Sequence, residues 1–314
     1  MPLELPDYFV DILHKKFLEA IEVDSLKFTE SVTEDIQDGD LTYRVRIAPS
    51  LGLKPVQTAA PPFASSDTTS KAKFDPFANP ESSLFLCPLG VNEYYTILNK
   101  FSIIPHHFLL ITKSFESQNA PLSEEDLEAT WACLQPTIDR GMRTLAFYNC
   151  GEASGASQSH RHVQFIPVPE QFKLLPDIAL SYGVQPSKNA IGVFPTYHPG
   201  ASFAHYVLPI PPNPTADDLI MRFATLLARA LTVLRTHEQS PISFNFAMTK
   251  EWMFIAPRRQ ELYEGVSVNT TGMVGLMLAK SHEQLDLIKR LGPSKILANV
   301  GLPKAEGDEQ HHDY

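Results

Sequence analysis

The chain has 314 residues, 43% hydrophobic and 20% charged, with a formal net charge of −10 at pH 7. That length buries one large core or two modest ones, and the acidic balance excludes polymeric nucleic acid as a partner while leaving room for a small phosphorylated ligand. No apolar run approaches the roughly 18 residues of a membrane span, and no basic, apolar leader opens the sequence.

Apolar residues at Phe9, Ile12, Leu13, Phe17, Leu18 and Ile21 recur at helical spacing and predict a first helix over Tyr8 to Ile21. Thr42 to Ile47 alternates as a strand does. Residues 55–73 are thick with Pro, Ala, Ser and Thr, which predicts a mobile surface loop. Tyr94 to Leu98, Phe101 to Ile104 and His107 to Thr112 read as successive strands. Ser123 with Asp126 marks a helix start, and Leu127, Trp131, Leu134 and Ile138 continue one face past Pro136, a position expected to kink it.

A small-residue loop then runs into a second alternating stretch. Gln171 to His198, punctuated by Pro and Gly, is the expected connection between two halves. Thr215 with Asp218 caps an amphipathic helix reaching Leu234; Ser243 to Thr249 and Glu251 to Ala256 read as a hairpin. Ser281 with Gln284 opens a last helix that ends at Gly292-Pro293, and 305–314 reads as a frayed tail. Runs of strands broken by helices predict an α+β fold. The three cysteines, Cys87, Cys133 and Cys150, are odd in number and widely spaced, which favours a reducing compartment over a disulfide framework. The cytoplasm is the expected location, with the nucleus also open, and a monomer the expected state.

The most informative stretch runs from Tyr148 to Pro167. On a strand, side chains two apart share a face, so His160, His162 and Gln164 form a polar row while Val163 and Phe165 point the other way. Two histidines so spaced are often half-buried polar residues, and H-x-H is also a metal-ligand spacing. The loop before them, Asn149 through Ser159, is rich in Gly and Ser. A glycine such as Gly155 permits close backbone approach, and Ser154, Ser157 and Gln158 offer donors for phosphate. An imidazole beside such a loop can attack phosphorus, because neutral histidine is a nucleophile near pH 7. A main-chain carbonyl is expected to hold its other ring nitrogen.

The whole pattern, N-x-G-x-x-S-G-x-S-x-x-H-x-H-x-Q over Asn149 to Gln164, resembles the histidine-triad superfamily. Within it the chain is similar to the fungal diadenosine tetraphosphate phosphorylases, or ATP adenylyltransferases. Further matches are Gly52-Leu53-Lys54-Pro55, Asp75-Pro76-Phe77, Leu98-Asn99-Lys100-Phe101 with Pro105 and His107, Thr249 to Met253 with Pro257-Arg258, and Asn269-Thr270-Thr271-Gly272 with Gly275 and Lys280. They stand in order along nearly the whole chain. Cys150 departs from a common Ser, and the stretch after Pro55 looks like an insertion.

The resemblance implies a mostly antiparallel histidine-triad-like sheet flanked by helices, with a catalytic region over 1–175 and a C-terminal adenylyltransferase region over 195–304 on the same core. It implies that His162 attacks the α-phosphorus of a dinucleoside polyphosphate, expels ATP and carries AMP, which phosphate then removes as ADP. ADP with phosphate or sulfate is a further pairing it allows. His160 would brace the site. Gln164, standing where related hydrolases have His, would donate an amide N–H to a phosphoryl oxygen and suit transfer between phosphates. Lys54, Asn99, Lys100, Asn149, Ser154, Gly155, Ala156, Ser157, Gln158, Asn269, Thr270, Thr271, Leu276 and Lys280 are carried over as substrate contacts. Asp75-Pro76-Phe77 reads as structural. No cofactor is expected to be covalently bound, no carboxylate cluster demands a metal, and a divalent cation such as Mg²⁺ is expected to help with the substrate phosphates. A hexose-1-phosphate uridylyltransferase stays open as a rival, weakened by Arg161 where that family has Pro and by the lack of C-x-x-C. A nucleotide sensor without turnover is the rival from another class.

Overall fold

Alternation along one strand organises the molecule. The computed structural model describes residues 3–49, 74–91, 93–189 and 191–304; Lys54, the predicted loop at 55–73 and the tail lie outside them. Strand β7 (His162–Pro167) buries Val163 and Phe165 on one face and turns His162 and Gln164 to the other. It sits inside an eight-stranded sheet with β3 (Phe85–Leu89), β4 (Tyr94–Leu98), β5 (Phe108–Thr112), β6 (Thr144–Cys150), β8 (Tyr206–Pro209), β9 (Phe244–Met248) and β10 (Trp252–Pro257). The order is β3-β4-β5-β7-β6-β9-β10-β8, and every neighbouring pair is antiparallel. Strands from the two halves of the chain meet at β6–β9, one strand away from His162.

One face of this sheet carries a continuous apolar cluster beneath α1 (Phe9–Glu22), α2 (Glu124–Asp139) and α4 (Ala216–Thr236). Phe165 is wholly buried there and stacks on Phe108 with ring centroids 4.5 Å apart. Such a side chain contributes about 1.5–3 kcal/mol by leaving water. The capping boxes expected at Ser123/Asp126 and Thr215/Asp218 are both formed. Pro136 lies inside α2.

The opposite face is divided. A large cluster packs it against a smaller sheet, β1 (Val32–Asp38), β2 (Leu41–Ile47) and β13 (Leu276–Ala279), and against α3 (Leu175–Ser181), α5 (Thr270–Met273), α6 (His282–Leu291) and α7 (Pro293–Val300). A small cluster of Phe77, Ile97, Leu109 and Ile111 covers the other end. His162, Gln164 and Asn149 lie on this face in the gap between the two. A short ribbon of β11 (Leu262–Tyr263) and β12 (Val266–Ser267) completes the strands described.

The α+β reading holds, with three local corrections. Phe101 to Ile104 is a turn, not a strand: Asn99 Oδ1 accepts from the Phe101 N–H at 3.0 Å, Ser102 Oγ donates to the Ile104 carbonyl, and His106 adopts φ 60°. The predicted connection over Gln171 to His198 contains α3, whose first turn is held by Asp177 Oδ2 accepting from the Leu174 N–H at 2.7 Å. The helix from Ser281 is not the last, because Gly292 turns the chain at φ 82° and Pro293 starts α7, a position where a missing N–H costs nothing.

Candidate active site

His162 is fastened through its backbone before its ring is considered. The register of β6 with β7 runs to Phe147↔Gln164, and beyond it the side chain of Gln118 fills in. Gln118 Oε1 accepts from the His162 N–H at 2.8 Å, and its amide donates to the carbonyls of Asn149 at 2.9 Å and His162 at 3.3 Å. The ring then folds back on its own chain: Nδ1–H donates to the His160 carbonyl at 2.8 Å. That bond leaves the lone pair on Nε2, which makes no hydrogen bond among the described residues. Burial pushes the His162 pKa down from 6.5 to about 4, against the raising effect of the carbonyl bond. The ring is therefore neutral at pH 7.

His160 is occupied on both ring nitrogens. Nδ1–H donates to Asp75 Oδ2 at 2.8 Å, and Nε2 lies 2.8 Å from the Thr112 carbonyl and 3.0 Å from its hydroxyl. Neither nitrogen is free for a metal, so the side chain braces the carbonyl that orients His162. Asp75 also accepts from the Phe77 N–H at 2.9 Å. The Asp-Pro-Phe turn therefore lies against the site: the Phe77 ring packs 5.2 Å from the ring of His162 and 5.8 Å from that of His160. Arg161, between the histidines, points to the opposite side and pairs with Asp126 at 2.9 Å and Glu116 at 2.8 Å.

A cleft of about 230 Å³ opens beside this row. Gln164 lines it, with its Oε1 held by His107 Nε2 at 3.1 Å, so its amide N–H groups are the atoms left to donate. Asn99, just beyond β4, contacts His107 at 3.2 Å. Asn149, Gly155, Ser157, Asn269, Thr271 and Leu276 share the wall. Asn269 caps α5 by accepting from the Thr271 N–H at 3.0 Å.

Other expected contacts serve the wall from behind. Ser154 is buried and its hydroxyl donates to the Gly151 carbonyl at 2.5 Å. Thr270 is buried too, its N–H donating to Asn149 Oδ1 at 3.0 Å. Gly151 and Gly155 are required by backbone shape, at φ 83° and 81°; a Cβ on Gly151 would fall 2.5 Å from the Ile242 carbonyl, and one on Gly155 3.1 Å from that of Val268. Gly155 thus lets the loop approach the segment before α5. Ala156 and Gln158 are half-buried in that loop without lining the cleft.

Lys100 and Lys280 fall outside the wall, and Lys54 lies outside the described residues. Lys100 is on the β4–β5 turn and pairs with Glu81, and Lys280 is exposed just beyond β13. Among the described residues, the cations that line the cleft are Arg44 and Arg46 of β2. Arg44 is engaged by both oxygens of Asp35 at 2.7 Å. Arg46 donates to the Ser31 hydroxyl at 2.7 Å, and burial together with Arg44 lowers its pKa. Both were visible as the outward positions of the alternating Thr42–Ile47 stretch. Gln118 carried no sequence signal, since its partners stand 31 and 44 residues away.

The assembly offers one neutral nucleophilic nitrogen, amide donors around it and a partly buried cation, which is the equipment for phosphoryl chemistry without general acid help. Two family models match the chain: the Ap4A phosphorylase N-terminal domain over residues 3–180 and the ATP adenylyltransferase C-terminal domain over 199–303. It is 34% identical over 320 residues to diadenosine 5',5'''-P1,P4-tetraphosphate phosphorylase 2 of Saccharomyces cerevisiae, covering 95% of each chain. It also resembles crystal structures of yeast Ap4A phosphorylase Apa2. With AMP bound the TM-score is 0.82 at 30% identity, covering 97% of this chain and 100% of that one. With Ap4A bound it is 0.81 at 31%, covering 95% and 98%.

Proposed function

The chain belongs to the Ap4A phosphorylase family of ATP adenylyltransferases, and from that premise we propose that it cleaves diadenosine tetraphosphate with inorganic phosphate through an adenylyl group carried on His162. The single observation that supports this most is the bond from His162 Nδ1–H to the His160 carbonyl, which leaves the Nε2 lone pair of a buried ring unspent beside the cleft.

Nε2 attacks the α-phosphorus at one end of the substrate, the bond to the bridging oxygen breaks, and ATP leaves. The positive charge that builds on the ring is shared through Nδ1–H with the His160 carbonyl. Phosphate then attacks the same phosphorus, the P–N bond breaks, and ADP leaves with the ring neutral again. Diadenosine tetraphosphate plus phosphate gives ATP plus ADP, and the sequence runs in either direction. Both leaving groups are phosphates or a ring nitrogen, so a proton donor at position 164 is not needed; Gln164 supplies an N–H that cannot be lost.

Asn149, Ser157, Asn269 and Thr271 would hold the adenylyl group and phosphates, with Arg46 as a cation on the same wall. Among the described residues no group of three or more His, Cys, Asp or Glu side chains is arranged to hold a metal. A divalent cation such as Mg²⁺ would enter on the substrate's phosphates. Also among the described residues, no helix is long and apolar enough to cross a membrane.

Labelled diadenosine tetraphosphate tests the reading. The wild type is expected to trap an acid-labile, base-stable adenylyl group, and His162→Ala to trap none and to lose turnover by on the order of 10⁴-fold or more while still binding AMP. Turnover near wild type in that variant sinks the assignment, and a wild type that binds without forming the adduct is a sensor.

A further inference from the structure

Arg258 is almost wholly buried and hydrogen-bonds no carboxylate among the described residues, although the charge of Glu261 is felt there. All five of its N–H groups are spent on neutral oxygens. Nε donates to the Val300 carbonyl at 3.1 Å, Nη2 to the carbonyls of Gln260 and Val268 at 2.8 Å each, and Nη1 to Asn245 Oδ1 and, at 3.5 Å, to the Ser154 carbonyl. Burial lowers its pKa to about 9, yet it remains a cation at pH 7. A guanidinium has no acceptor, so Asn245 must turn its oxygen toward it.

The consequence passes from amide to amide. With Oδ1 facing Arg258, Asn245 can only donate on its other side, and its Nδ2 does so to Asn149 Oδ1 at 2.9 Å and the Ser154 carbonyl at 3.0 Å. Asn149 Oδ1 also accepts the Thr270 N–H at 3.0 Å, a main-chain donor whose direction is not in question. Asn149 is 2% exposed and lines the cleft, so the group it has left to present there is –NH₂. An Asn placed alone on that wall could equally present its carbonyl, which would repel a phosphate.

We propose that Arg258 and Asn245, neither of which lines the cleft, are positioning residues that, together with the Thr270 N–H, fix the polarity of the Asn149 amide so that it donates to the anionic adenylyl group. The proposal rests on the adenylyl-transfer reading of the site. The same guanidinium ties together Asn245, the loop at Ser154 and the Val268 segment that leads into α5, three pieces that back one wall of the cleft. Lysine, with three donors on a point charge, cannot hold them all.

Asn245→Asp is the informative variant. It keeps shape and gives Arg258 a carboxylate, which partly offsets the lost donor to the Ser154 carbonyl, so the fold is expected to persist with a lowered melting temperature. It removes one donor to Asn149 and sets an acceptor oxygen against Asn149 Oδ1, while the Thr270 N–H still donates there, so the Asn149 amide loses its single orientation. The KM for diadenosine tetraphosphate and the Kd for AMP are expected to rise about 10- to 100-fold, with the adduct still forming at saturation. In a double-mutant cycle with Asn149→Ala the two effects should be strongly sub-additive, because both remove one donor. Full additivity, or an unchanged Kd for AMP in Asn245→Asp, overturns the proposal. As a reading independent of any variant's folding, AMP should shift the Asn149 side-chain amide resonances of the wild type, and an unmoved pair also overturns it. Failure of the adenylyl-transfer reading shows elsewhere, as the absence of an adduct in the wild type.

Discussion

His162 at the start of β7 and His205 just before β8 are built alike and differ in one bond. Each imidazole is buried, and each donates Nδ1–H to the carbonyl two residues earlier: His160 at 2.8 Å for the first, Phe203 at 2.9 Å for the second. Burial depresses both pKa values, to about 4 and about 3. At His205, however, Nε2 accepts the His198 N–H at 2.9 Å, and Phe203 and Phe254 pack around the ring. Its lone pair is consumed by the fold. Desolvation and a fixed tautomer therefore produce a neutral imidazole, and an unspent Nε2 beside a cleft is what the proposed nucleophile has and His205 lacks.

Exchanging each ring for a methyl group sharpens that contrast most. His162→Ala is expected to remove turnover, as argued above, with little change in unfolding. His205→Ala should do the reverse: it leaves the His198 N–H without an acceptor and opens a cavity, costing about 2–5 kcal/mol of stability. Adduct formation per folded molecule should stay near wild type. Chemical denaturation alongside a single-turnover assay separates the two. A His205→Ala protein that is stable but inactive would break the comparison.

How much of this was legible in the sequence depends on distance along the chain. Helix starts at Ser123, Thr215 and Ser281 were readable because the capping partner lies three residues on. The parity of His160, His162 and Gln164 was readable for the same reason. Strand β1 was not, because Val-Thr-Glu-Asp-Ile-Gln-Asp is an exposed edge with no apolar alternation to mark it. Gln118, the Asp75 partner of His160, and the Arg258–Asn245–Asn149 chain depend on contacts between distant residues that local pattern does not encode. Family resemblance pointed at Arg258 and Asp75 without saying what either one touches.

The second test is titration, and its sign follows from the direction of the shifts. Both histidines have folded-state pKa values below the ordinary 6.5. Between 6.5 and about 4 the unfolded chain takes up protons at these positions and the folded chain does not. Stability is therefore fully present above 6.5 and falls with decreasing pH, by about 1.4 kcal/mol per pH unit for each group. His162→Ala or His205→Ala should each flatten that slope by one group's share. Activity should hold across the same window, since His162 stays deprotonated; a kcat/KM that fell away with an apparent pKa near 6.5 would show the ring to be solvated.

The smallest effect belongs to Gln164, and it tests what kind of acceptor the free Nε2 serves. Its Oε1 is pinned by His107 at 3.1 Å, so its N–H₂ faces the cleft and offers hydrogen bonds with no proton to give. A histidine there could protonate a poor leaving group or deprotonate water, and the adenylyl-histidine would then have a second way to break down. Gln164→His is expected to shift products a few-fold from ADP toward AMP while the first step, release of ATP, changes little. Nucleotide chromatography at fixed phosphate reads the ratio directly. An unchanged ADP:AMP ratio would mean that water is kept out by packing, to which Phe77 against the ring contributes, and that the amide's lack of an acidic proton is not what makes the site a transferase.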